Sequence, residues 1–169
     1  MKETKKLPFL YICIFVGILL GIILKFFVLD FLHISGFSMS PTIKDGETVL
    51  VNKLAYGLNV PFKGRFFLQW NSPKQGDVVI YFHDNKIVVK RCVGVEGTHL
   101  DFLADSGYIL NIGSSSAVLT QNQYEKLKNF SEIPSGYIFA LGDNQEESLD
   151  SRDYGFVSVK NITGKIIGK

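Results

Sequence analysis

Residues 9–29 read FLYICIFVGILLGIILKFFVL, 21 consecutive positions with a single charge, Lys25, near the far end. As an α-helix rising about 1.5 Å per residue, the run matches a hydrocarbon layer of about 30 Å. The chain therefore divides into a cytoplasmic start (1–8), a transmembrane anchor (9–29) and one domain beyond it (30–169). A cleavable secretory signal is the competing reading, because Lys2, Lys5 and Lys6 precede the run. Such a signal has an apolar core of only about 7 to 15 residues followed by a small-x-small site. This run is longer, and no such site precedes Asp30, so the anchor is expected to be retained. The basic residues before it, offset by Glu3, predict a single pass with the N-terminus in the cytoplasm and the domain outside. Lys25 can extend its amine to the outer interface.

Roughly 135 to 140 residues remain outside the anchor, a usual size for one domain. The formal net charge is +2 and the basic residues are scattered, which argues against a nucleic-acid partner. Cys13 lies inside the apolar run and Cys92 far beyond it, a poor pair for a disulfide. Neither paired cysteines nor a two-histidine helix motif is present, so no metal and no other cofactor is expected.

Strands dominate the pattern. Residues 47–54 alternate in polarity, and the apolar runs 78–82 and 87–95 flank a tight turn, His-Asp-Asn-Lys, as an antiparallel hairpin would. Further strands are expected at 137–141 and within 156–167. From 98 to 135 the pattern weakens, with a polar stretch at 121–128 that reads as a helical turn or two, and this part is expected to be a small variable insertion of low catalytic interest. The fold class is mainly β: an antiparallel sheet or partly closed barrel, preceded by one N-terminal transmembrane helix. Residues 62–70 combine Phe62, Phe66, Phe67, Leu68 and Trp70 with Lys63 and Arg65. A segment dipping into the lipid interface and a core strand fit them about equally, and the nearby anchor favours the lipid.

Residues 35–42, Ser-Gly-Phe-Ser-Met-Ser-Pro-Thr, follow the anchor closely and place Ser38 at the membrane surface. A serine hydroxyl attacks a peptide bond only when a base takes its proton. His33 belongs to the connector 33–42, His83 to a turn and His99 to the start of the variable stretch, so each has a surface or packing role as its simpler explanation. Lys90 differs. Alternation along 87–93 sends Lys90 and Cys92 to one face and Val89, Arg91 and Val93 to the other. Burial among apolar neighbours disfavours its cation and makes the neutral amine a usable base.

Three segments together resemble the type I signal peptidases, membrane-bound serine proteases with a Ser-Lys dyad. Gly36-Phe37-Ser38-Met39-Ser40-Pro41-Thr42 is similar to that family's nucleophile box. Gly76-Asp77-Val78-Val79 with Lys90-Arg91-Cys92-Val93-Gly94 is similar to its base-bearing strands, and residues 142–155, GDNQEESLDSRDYG, to its Gly-Asp-Asn box. The resemblance implies Ser38 as nucleophile, Lys90 as general base, Ser148 as the hydroxyl that orients the lysine amine, and an Asp150–Arg152 ion pair that braces the wall. It implies small side chains one and three residues before the cut and a substrate lying as an added strand. Met39 would pack beneath the cleft, with Pro41 and Thr42 setting the turn. One branch of the family carries a serine oxyanion donor where this chain has Gly36, so the Ser38 backbone N–H is the donor that can be assigned here. The implied partners are secretory preproteins and the lipid bilayer of the cytoplasmic membrane, with the protein a monomer.

Three rivals remain at this level. A processing peptidase for a conjugative pilin-type substrate would share the dyad. A DNA-damage repressor would need a DNA-binding helix pair where this chain has its apolar run. A non-catalytic, membrane-anchored binding domain would leave the matched boxes to coincidence.

Overall fold

The computed structural model describes residues 6–60, 65–105 and 107–168. Helix α1, Lys6–Ile23, passes into a π-helical turn, Leu24–Val28. Its apolar side chains are exposed over the span Phe9–Val28 and none of that span is buried within the protein. Lys2 and Lys5 of the expected basic start lie outside the described residues.

The helical run stops one residue short of the expected boundary. Leu29 opens strand β1, Leu29–His33, so His33 ends a strand and does not begin a connector. The cause is pairing with β2, Thr48–Asn52, in antiparallel register from Leu29↔Asn52 to His33↔Thr48. Lys53 fixes the junction: its N–H donates to Val28 O at 2.8 Å and its Nζ lies 2.7 Å from Asp30 Oδ2.

The remaining elements are β3 (Gly57–Val60), β4 (Arg65–Gln69), β5 (Val78–His83), β6 (Lys86–Val95), β7 (Leu100–Leu103), β8 (Tyr108–Ile112), β9 (Ser115–Leu119), α2 (Gln121–Leu127), β10 (Tyr137–Leu141), α3 (Ser151–Tyr154), β11 (Val157–Ser158) and β12 (Ile162–Gly168). A seven-stranded antiparallel sheet has the order β1-β2-β12-β5-β6-β10-β11, with β1 and β11 at its edges. At its centre, the β5–β6 hairpin turns on Asp84 and Asn85, with φ of 47° and 60°, the left-handed pair that a two-residue hairpin needs. The β-branched and aromatic residues of both strands suit this pleated, largely buried position.

The segment 98–135 is more ordered than its sequence suggested. Strands β7, β8 and β9 form a three-stranded antiparallel sheet, and Leu110, Ile112, Ala117 and Leu119 bury with Leu127 of α2 against Phe139 and Leu141 of β10. A second core lies around Val79, Tyr81, Cys92 and Ala140. The third, around Met39, Ile43, Val49, Val51 and Ile80, seats the loop that carries Ser38. Strands β3 and β4 form a separate hairpin. Phe62 and Lys63 of its expected lipid-facing stretch lie outside the described residues, while Phe67, Leu68 and Trp70 are exposed.

Candidate active site

Ser38 sits in the loop between β1 and β2. Met39, 1% exposed, and Ile43 plug this loop into the third core, and Ile43 N–H donates to Met39 O at 2.9 Å. Gly36 precedes the serine with a φ of +108°, a conformation side-chain-bearing residues rarely adopt, and its N–H is held by Asp45 Oδ1 at 2.7 Å. From the far side, Asn144 N–H donates to Ser38 O at 3.0 Å. The loop is thus clamped from below and from beside, leaving the Ser38 side chain partly exposed. Among the described residues, the Ser38 N–H donates to no protein acceptor.

Lys90 lies in β6, directly opposite Val79 of β5, and is only 5% exposed. Its Nζ stands 2.7 Å from Ser38 Oγ. Burial pushes its proton affinity below the ordinary lysine value; the Asp150 carboxylate opposes this, the Arg152 guanidinium reinforces it, and Asp143 opposes it. A lowered proton affinity favours the neutral amine, the form able to accept a proton from a hydroxyl. The pair opens onto a depression of about 270 Å³ whose lining includes Leu32, Ile34, Met39 and Val89.

Behind the pair stands a wall built from residues 141–154. Asp150, fully buried, caps α3 and accepts from Gly142 N–H at 3.0 Å and from Arg152 Nε at 2.9 Å. Arg152 continues to Gln145 O at 2.7 Å. Gly142 is hemmed in: a β-carbon there would collide with Ser148 and with the Ser38 carbonyl. On the opposite face of β6, Arg91 forks onto Asp143, with Nε to Oδ1 at 2.8 Å and Nη2 to Oδ2 at 2.6 Å. Burial alone would raise the Asp143 carboxyl, but the hydrogen bonds from Arg91 and Thr42 and the charges of Arg91 and Lys90 carry it below the usual carboxylate range.

Of the residues singled out in the sequence, Ser38 and Lys90 meet, and Asp150 and Arg152 pair beside them. Ser148 is different: its Oγ is buried without a hydrogen-bond partner, so the bond to Lys90 is not formed here. His33 borders the depression, with Nδ1 3.4 Å from Thr48 Oγ1, while His83 stacks on Tyr154 with ring centroids 3.9 Å apart and the His99 backbone forms an isolated antiparallel β-bridge with Glu132. Among the described residues no cluster of His, Cys, Asp and Glu could hold a metal ion. The sequence reading gave no role to Gly142, Asp143 or Arg91. The close approach at Gly142 has no signature in a single sequence beyond the glycine itself.

A serine hydroxyl set 2.7 Å from a buried lysine amine, beside a cleft of mixed polar and apolar lining on an antiparallel β scaffold, is an arrangement that suits a serine peptidase. The chain belongs to the signal peptidase family, peptidase S26, whose pattern matches residues 8–168. It is similar to signal peptidase IB of Staphylococcus aureus strain Mu50, with 33% identity over 168 residues, 88% of this chain and 81% of that protein. Against signal peptidase I of Bacillus licheniformis the identity is 32% over 163 residues, 89% of this chain and 81% of that protein. A crystal structure of a signal peptidase I from Enterococcus faecalis V583 is 24% identical with a TM-score of 0.41, covering 57% of this chain and 98% of that one.

Proposed function

We propose that the chain removes N-terminal signal peptides from exported preproteins at the outer face of the cytoplasmic membrane, with Ser38 as nucleophile and Lys90 as general base. The observation that carries this reading is the 2.7 Å contact between Ser38 Oγ and the buried Lys90 Nζ in a member of this family.

Neutral Lys90 takes the Ser38 proton as Oγ bonds to the scissile carbonyl carbon. The oxyanion that forms is held by the unengaged Ser38 N–H. As the C–N bond breaks, Lys90 returns the proton to the departing amine, leaving the signal peptide as an ester on Ser38. Water then attacks the ester with Lys90 again accepting the proton, and Ser38 is regenerated. Acyl transfer of this kind is complete without a metal or other cofactor. Ser148 orients the lysine amine during these steps. Its support is a buried hydroxyl with no other partner, packed on Gly142 beside the Ser38 carbonyl. Asp150 and Arg152 keep the wall in place.

The shallow depression beside Ser38 favours small side chains before the cut, with the substrate extended beside edge strand β1 and the part of β6 before Arg91, which β10 leaves unpaired. The exposed apolar span Phe9–Val28 supports a single-pass anchor, and the lysines that precede it support a cytoplasmic N-terminus. The catalytic domain then works as a monomer at the lipid surface, where signal segments end.

The test is to incubate the detergent-solubilised full chain with a preprotein and compare Ser38→Ala and Lys90→Ala with wild type. Both substitutions are expected to abolish cleavage without unfolding the domain. Retained turnover in either overturns the assignment.

A further inference from the structure

The segment 98–135 meets the catalytic wall at several points: Gln145 Nε2 donates to Ser116 O at 3.0 Å, Arg152 Nη1 to Val118 O at 3.5 Å, and the Gln123 amide joins two helix starts. Helix α2 begins with a capping box: Thr120 Oγ1 accepts from Gln123 N–H at 3.3 Å, and Gln123 Oε1 accepts from Thr120 N–H at 2.8 Å. Helix α3 begins with another, in which Asp153 Oδ2 accepts from the N–H of Asp150 at 3.1 Å. The two boxes are joined, because Gln123 Nε2 donates to Asp153 Oδ1 at 2.7 Å. Each end of the Gln123 side chain therefore closes a different helix start.

We propose that Gln123 is a positioning residue for the signal-peptide reaction: by tying the start of α2 to Asp153 it fixes the Asp150 cap, and through Asp150 the wall that faces Ser38 and Lys90. This rests on the function proposed above for those two residues.

Three observations favour a role beyond surface decoration. Helix α3 has only four residues, too few to hold its own shape, so its position depends on ties from outside. Asp153 is engaged at every oxygen, with Gln123 and the Asp150 N–H on its carboxylate and Lys126 Nζ on its backbone carbonyl at 3.2 Å. Asp150, which Asp153 secures, holds Gly142 and Arg152, and Gly142 abuts the Ser38 carbonyl. A shift of the α3 start is thus transmitted to the nucleophile and admits water beside Lys90, whose charged neighbours are Asp143, Asp150 and Arg152.

A polarity swap tests this. Gln123→Glu keeps an acceptor for the Thr120 N–H but sets a carboxylate against Asp153. Turnover should fall roughly threefold to tenfold, the worth of one hydrogen bond, with little change in KM. The acid limb of the pH–rate profile should move to higher pH, because water relieves the burial that lowers proton affinity at Lys90. The double variant Gln123→Glu with Asp153→Asn reverses donor and acceptor at wild-type net charge, and both quantities should return toward wild type. A single variant with wild-type turnover and pH profile, or a double variant as impaired as the single, overturns the inference. So does a lowered melting temperature with turnover and acid limb unchanged, which is the mark of a purely structural tie. Retained cleavage by Ser38→Ala in the same assay would instead remove the function on which it rests.

Discussion

The Gly142 N–H donates to Asp150 Oδ2 at 3.0 Å, and the same glycine presses its bare Cα toward the Ser38 carbonyl and the Ser148 side chain. One residue thus links the buried carboxylate to the nucleophile loop. Gly142→Ala is expected to force that loop away from β10, costing about 1–3 kcal/mol of stability, as overpacking does, and reducing cleavage far more than that loss explains. Denaturant midpoints and single-turnover rates on the same preparation check this. Near-wild-type turnover in the alanine variant would show that the close approach does not set the position of Ser38.

Ser148 separates stability from activity. A buried hydroxyl with no partner costs about 1–3 kcal/mol relative to one that is satisfied. Ser148→Ala should therefore leave the melting temperature unchanged or raise it. Catalysis should fall roughly tenfold, the loss of one oriented hydrogen bond to the amine, without vanishing. A ratio of turnover rates near one would remove the orienting role.

Lys90 gives the pH dependence. In the proposed mechanism only the neutral amine accepts the Ser38 proton, so activity is expected to rise with pH through the lysine pKa, which burial holds below the ordinary value of 10.5. The acid limb should therefore lie below 10.5 and disappear with activity in Lys90→Met. For stability the sign is the reverse of a salt-bridged lysine. Below 10.5 the unfolded chain binds a proton that the folded one binds less readily, so Lys90 lowers stability, fully so below its folded pKa, and the deficit closes as pH rises toward 10.5. Lys90→Met should thus denature at a higher midpoint than wild type at neutral pH, with the gain shrinking in alkali. A gain independent of pH would mean that packing, not protonation, is responsible.

The sequence made some of this plain and hid the rest for definite reasons. The β5–β6 hairpin was legible because two apolar runs meet at Asp84-Asn85, and period-two alternation then put Lys90 and Cys92 on one face. That Ser38 reaches Lys90, 52 positions away, was legible only through the resemblance of the boxes, since no periodicity relates a loop to a distant strand. Strand β1 was obscured because Leu29, Phe31 and Leu32 extend the hydropathy of the anchor; its identity comes from pairing with β2, a non-local choice. Strands β7–β9 were hidden by Gly113 and the serines at 114–116, residues of low strand propensity, although Leu110 and Ile112 are fully buried. The joining of two capping boxes at Gln123 exists only once α2 and α3 are folded side by side.

Trp70 allows the expected lipid contact of the β3–β4 hairpin to be tested directly. It is the sole tryptophan of the chain, so intrinsic emission reports on this one site and the anchor contributes nothing. Its ring is held to the domain by the bond from Nε1 to Leu54 O at 3.2 Å, yet it remains 54% exposed, beside Phe67 at 78% and Leu68 at 58%. Aromatic side chains with one polar edge settle at the boundary between headgroups and acyl chains. In vesicles containing the full-length protein, lipids brominated near the headgroup end of the acyl chain should quench the emission strongly, those brominated near the bilayer centre weakly, and aqueous iodide little. Phe67→Ser with Leu68→Ser should weaken the lipid quenching and open the ring to iodide, while the anchor keeps the protein in the membrane. Strong iodide quenching in wild type, with none from either lipid, would place the hairpin in water and make these exposed side chains a feature of the domain surface alone.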